Sequence, residues 1–117
     1  MKALLLALAL LATPAAHFDR TVHDFGEVLL KDGPQSCVFT LLNEGEDPVN
    51  ILAVIPSCGC TDVKWTRESI PAGGKGTVSV IYANDDGPYP FDKTLTVYLS
   101  DIKKPVILHI RGVAKNK

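Results

Sequence analysis

Two cysteines separated by one glycine, in the run Ser57-Cys58-Gly59-Cys60-Thr61, are the residues of this chain best suited to chemistry. Joined to each other, their sulfurs close a small ring. Cα atoms two apart in sequence can fall within the bridging range of roughly 4.4–6.8 Å, and Gly59 is then expected to supply unusual backbone angles. An exposed, strained bond of this kind is readily reduced, which opens thiol–disulfide exchange. Held apart as thiolates, Cys58 and Cys60 suit a soft metal instead, and Cu(I) accepts two thiolates. Zinc asks for four ligands; with no second cysteine pair, it needs His17, His23 or His109 to come near. The plainest alternative is a staple: short secreted domains commonly use cysteine to hold a loop in shape, with no chemistry.

The remaining candidates are weaker. Cys37 alternates with Phe39 and Leu41, which predicts a buried free thiol acting as a small hydrophobe; its alternative is a bridge to Cys58 or Cys60. His109 lies between Ile107 and Arg111 on an outward face and reads as a surface residue. His23 and Asp24 invite an acid–base reading, but neighbours on a strand point to opposite faces. Trp65 reads as core or sheet-edge filler. His17, near a new N-terminus, could grip Cu(II) with the terminal amine. No Ser-His-Asp order, phosphate loop or recognisable acid pair is present, so no catalytic residue is assigned and an enzyme is not expected.

Met1-Lys2, the Ala/Leu run Ala3–Ala12 and the small residues Thr13-Pro14-Ala15-Ala16 read as a signal peptide over residues 1–16, cut near 15/16. The apolar run falls short of the roughly 20 residues of a membrane span, and no cysteine follows it for a lipid anchor. Export, periplasmic or secreted, is therefore expected, with no stable membrane insertion once the leader is gone. The 117 residues carry a formal charge of −1, and the leader takes only Lys2 with it. A balance this slightly acidic is no nucleic-acid profile. Three cysteines are an odd number, so at least one sulfur stays free, binds something, or pairs with another molecule.

The elements that must position these residues are strands. Val22, Phe25 and Val28 form a first strand that does not alternate cleanly, and Gly26 allows a bulge there. Cys37, Phe39 and Leu41 share the inner face of a second. Val49–Ile55 is almost wholly apolar, as expected of a central strand covered on both faces or one with a bulge, and Pro56 ends it. Val63 and Trp65 mark a short fourth strand. Val78, Val80 and Tyr82 point inward from a fifth; Phe91, Leu95, Val97 and Leu99 from a sixth; Val106, Leu108 and Ile110 from a seventh. Turn residues occupy Lys31–Pro34, Asn43–Pro48, Ser69–Gly76, Asn84–Pro90 and Ser100–Lys104. Seven short strands predict one all-β domain over residues 17–117, an immunoglobulin-like antiparallel β-sandwich. If the strands alternate in direction, the Cys-Gly-Cys loop shares an end with Lys31–Pro34, Asn84–Pro90 and the tail after Val113. Tail lysines would then favour the thiolates, and Asp85 and Asp86 would oppose them.

His23-Asp24-Phe25-Gly26-Glu27-Val28, Phe39, Asn43-Glu44-Gly45, Ser57-Cys58-Gly59-Cys60-Thr61, Ile70-Pro71-Ala72-Gly73 and Gly112-Val113, in that order, resemble the bacterial family called domain of unknown function 1573. The resemblance covers essentially the whole chain after the leader. It implies an immunoglobulin-like sandwich, related in style to major sperm protein and cilia-associated domains, an exported location and a bacterial source. It does not imply an activity, and Cys37 is not part of the family pattern; no cofactor is expected, except copper under the metal reading of Cys58 and Cys60. The expected function is a non-enzymatic module binding an unknown protein or envelope component. The rival is a small copper-binding or thiol-redox protein using Cys58 and Cys60.

Overall fold

The computed structural model describes residues 15–117. The expected leader thus lies outside the described residues, apart from Ala15 and Ala16. Eight strands follow: β1 (Ala16–Phe18), β2 (Val22–Leu29), β3 (Gln35–Asn43), β4 (Ile51–Pro56), β5 (Thr61–Trp65), β6 (Lys75–Tyr82), β7 (Pro90–Leu99) and β8 (Val106–Lys115), with a single 3-10 turn at Leu30–Asp32. They form two four-stranded sheets, ordered β1-β3-β6-β5 and β2-β8-β7-β4. The all-β sandwich is therefore observed, with β1 as an eighth strand too short to carry a pattern of its own. The pairings are antiparallel except β2 with β8, which run parallel.

Alternation explains the core. Phe39, Leu41, Val78, Val80 and Tyr82 of the first sheet meet Leu95, Val97, Leu108 and Ile110 of the second, all buried. Burying each such side chain stabilises the fold by about 1.5–3 kcal/mol. The Tyr82 and Phe91 rings stack across the two sheets at 4.3 Å. On β2 the register shifts between Asp24 and Glu27, and Gly26 takes φ +70° there. That bulge accounts for the uneven spacing of Val22, Phe25 and Val28. It also brings the Gly26 carbonyl so close to β8 that a Cβ on Gly112 would lie 2.8 Å from it.

Two expectations are corrected. Of the two readings of the apolar Val49–Ile55 stretch, the bulge is observed, between Ile51 and Ala53, and the covered central strand is not: β4 lies at a sheet edge, with Leu52 62% and Ile55 54% exposed. Its inner residues, Ile51 and Val54, face the core, Ala53 and Pro56 are half-buried, and Leu52 and Ile55 stand out from the sheet. The turn residue Asn43 is fully buried. Its side chain donates to the Asp47 and Ile70 carbonyls at 2.8 and 3.0 Å and accepts from the Gly45 amide at 3.0 Å, so it pins the loops at the end of the sandwich where β3 finishes.

Candidate functional site

Pro56 closes β4, and the chain crosses from one sheet to the other through Ser57–Cys60. Backbone and side-chain bonds hold this crossing on both sides. The Ser57 amide donates to the Thr94 carbonyl at 2.9 Å, and the Thr94 amide returns to the Ser57 hydroxyl at 3.0 Å. Beyond the end of β6, the Ala83 amide donates to the Cys60 carbonyl at 2.8 Å. The dithiol segment is thereby tied to the second sheet through β7 and to the first through the chain leaving β6.

Within it, Cys58 and Cys60 are joined, Sγ to Sγ at 2.06 Å with Cα atoms 5.1 Å apart. The Cys60 amide donates to Cys58 Sγ at 3.1 Å, and the Thr61 amide to the Cys58 carbonyl at 3.2 Å. The Thr61 hydroxyl lies 3.7 Å from Cys60 Sγ. Gly59 departs from expectation: it is not among the residues at positive φ, and an added Cβ would meet nothing within 4 Å. The short ring closes without the left-handed backbone that only glycine adopts freely.

The segments expected at this end do gather there. Asn84, itself buried, holds φ +59° and donates through Nδ2 to the carbonyls of Leu29 and Gly33, each at 3.0 Å, locking two loops together. The Ala114 amide donates to the Tyr89 carbonyl, bringing in the chain's end. Strands that alternate in direction return their loops to the same rim, and the parallel β2–β8 pair agrees with that parity.

Asp86 is the residue that sequence reasoning named only as an opposing charge. Its carboxylate and the two sulfurs lie within 4.8 Å of one another. The Tyr82 hydroxyl donates to Asp86 Oδ2 at 3.0 Å, and Lys93 Nζ lies 3.1 Å from the same oxygen. Lys93, and then the Tyr82 hydroxyl, hold the Asp86 carboxyl below the usual carboxylate value. Burial, followed by Asp86 and Asp85, pushes the Tyr82 phenol up to about 12. The cation beside the site is thus Lys93 of β7. Of the tail lysines, Lys115 pairs instead with Glu27 at 2.9 Å.

The other candidates stay apart from the sulfurs. Cys37 is free and half-buried on β3, and burial pushes its thiol up to about 11; the alternative bridge to Cys58 or Cys60 is not formed. His17 pairs with Glu44 at 3.2 Å, and His109 with Asp92 at 2.9 Å. His23 accepts from Arg20 at 2.9 Å and packs edge-on to Phe25; burial and then Arg20 lower its pKa. No histidine joins Cys58 and Cys60 in a ligand group among the described residues, so the histidine-completed zinc site is not assembled. Trp65 sits on the edge strand β5 with Arg67 over its ring at 3.9 Å, as a sheet-edge filler does.

A family model described as "Protein of unknown function (DUF1573)" matches residues 16–114. No curated protein matches the sequence. Among solved structures, a protein of unknown function from Porphyromonas gingivalis W83 is similar at 14% identity with a TM-score of 0.72, covering 87% of this chain and 49% of that one. The secreted serine protease VesC from Vibrio cholerae is similar at 14% identity and TM-score 0.66, over 87% of this chain and 23% of that one. WR4, a C. elegans member of the MSP family, is similar at 10% identity and TM-score 0.61, over 87% of this chain and 99% of that one. This chain therefore spans about half the length of the Porphyromonas protein and a quarter of the protease. At these identities the likeness is one of fold.

Proposed function

This chain belongs to the DUF1573 family of proteins of unknown function, and from that premise we propose that it is an exported, non-enzymatic recognition module, periplasmic or secreted, that docks a protein partner in the cell envelope. The observation that carries this reading is an apolar row on the outer face of the second sheet. Ile55 of β4 stands opposite Thr96 of β7, which stands opposite Ile107 of β8, and Tyr98 lies beside them opposite Ala53. Leu52, Ile55, Tyr98 and Ile107 are all exposed. Covering the apolar surface they still expose is worth about 25 cal/mol per Å², and clustered apolar surface marks a binding site more often than an accident. The row carries no cluster of basic residues, which favours a protein over an anionic lipid surface. It crosses the sheet from the edge strand β4, and an edge is the place where a partner's extended segment can add to a sheet. A domain of this shape forming part of a secreted protease supports export and a modular role.

A photo-crosslinking residue at Ile55, with one at Lys64 on the opposite sheet as control, tests this in bacteria producing the full chain. A discrete adduct is expected from position 55 alone, and Tyr98→Glu should abolish it. No adduct, or the same adducts from both faces, would overturn the reading. A second reading, chemistry at the Cys58–Cys60 pair, is favoured by the carboxylate of Asp86 beside both sulfurs.

A further inference from the structure

We propose that the reduced pair Cys58 and Cys60, together with Asp86, forms a three-ligand site for a thiophilic divalent cation of the zinc type, closed to metal while the two sulfurs are bonded to each other. The proposal rests on the second reading above and is independent of the docking surface.

The donors are already gathered. Two sulfurs and a carboxylate oxygen lie within 4.8 Å of one another. Around a tetrahedral ion with bonds of about 2.3 Å to sulfur, two thiolates stand roughly 3.8 Å apart, which the 5.1 Å Cα separation accommodates once the bond between them is broken. The carboxylate keeps one oxygen outside its own contacts. Both of its partners, the Tyr82 hydroxyl and Lys93 Nζ, engage Oδ2, so Oδ1 remains for a ligand. Fixing one carboxylate oxygen while the other binds is how outer partners position a metal ligand. The loop bearing Asp86 is held by the side chain of Asn84, through its bonds to Leu29 and Gly33.

Charge selects the ion. Two thiolates and a carboxylate carry three negative charges, Lys93 returns one, and a divalent cation neutralises the remainder. A monovalent Cu(I) leaves the site negative and makes poor use of a carboxylate oxygen. Three protein ligands on zinc leave a fourth position for water. Opening the site requires two electrons. A dithiol reductant breaks the Cys58–Cys60 bond by exchange, its own two sulfurs join, and its two protons pass to Cys58 and Cys60; Zn2+ then displaces both protons as it binds.

The test uses the chain carrying Cys37→Ser, so that no third thiol competes. It is reduced anaerobically with a phosphine and titrated with zinc against a chromophoric chelator. One equivalent is expected in the reduced protein and none in the oxidised protein, with affinity falling at least tenfold in Asp86→Asn and lost in Cys58→Ser/Cys60→Ser. Cobalt substitution supplies a readout free of variants: tetrahedral d–d bands with thiolate charge transfer are expected. Zinc uptake unchanged by Asp86→Asn, or cobalt spectra of a six-coordinate ion, would overturn the proposal. If two thiols appear on reduction but no zinc binds, the metal site falls while thiol–disulfide chemistry stands. If the bond resists reduction in the folded protein, both fall. Tight Cu(I) uptake indifferent to Asp86, without zinc uptake, returns the pair to a two-thiolate copper site.

Discussion

Protonating Asp86 releases two partners at once, Lys93 and the Tyr82 hydroxyl. Because its carboxyl is held below the ordinary value of 3.8, its contribution to stability is full above that pH and is lost as pH falls through the lowered folded value. His23 adds a loss in the same direction at a milder pH. Burial and Arg20 lower its pKa below 6.5, so the fold favours the neutral ring and loses stability as pH drops past 6.5. Thermal melts from pH 8 to pH 3 should show two successive declines. Asp86→Asn should shrink the lower one to the part that Asp24 supplies, since the Gly26 amide and then Arg111 hold that carboxyl low as well. The variant's melting temperature should converge with the parent's in acid. The sequence placed Asp86 in a polar loop and read it only as a charge opposing thiolates; its pairing with Lys93 was illegible, because it depends on how the loop folds back on the strand that it leads into.

Elements at this rim depend on backbone approach more than on the glycine count. A Cβ on Gly112 would lie 2.8 Å from the Gly26 carbonyl and 2.9 Å from the Phe91 ring, so β8 must shift away from the β2 bulge. Gly112→Ala should cost about 1–3 kcal/mol. Gly59→Ala has open space and no positive φ to satisfy, so it should stay within about 0.5 kcal/mol of the parent. Urea denaturation with unchanged slope for both variants checks the pair; a Gly59→Ala loss equal to that of Gly112→Ala would show that the ring needs glycine after all. The bulge was legible from the broken alternation of Val22, Phe25 and Val28. The edge position of β4 was not, because an apolar run records hydrophobicity but not whether anything covers it.

At the scale of the whole molecule, one core serves both sheets, and Leu108 lies fully buried in it. Leu108→Ala should cost about 2–5 kcal/mol and lower a single cooperative thermal transition rather than split it; two resolved transitions would mean the sheets fold as separate units. The chain by itself determined the all-β class, seven of the eight strands and the inward face of most of them, since side-chain alternation is written residue by residue in local sequence. It also determined which loops share the rim of Cys58 and Cys60, since the parity of strand direction follows from counting. Only the tertiary structure decided that β2 pairs in parallel with β8, that β4 lies at an edge with its apolar side chains uncovered, and that Asp86, paired with Lys93, lies beside the disulfide. Those outcomes are set by pairing and packing between segments far apart in sequence, where many registers satisfy the same local pattern and the shared core selects one.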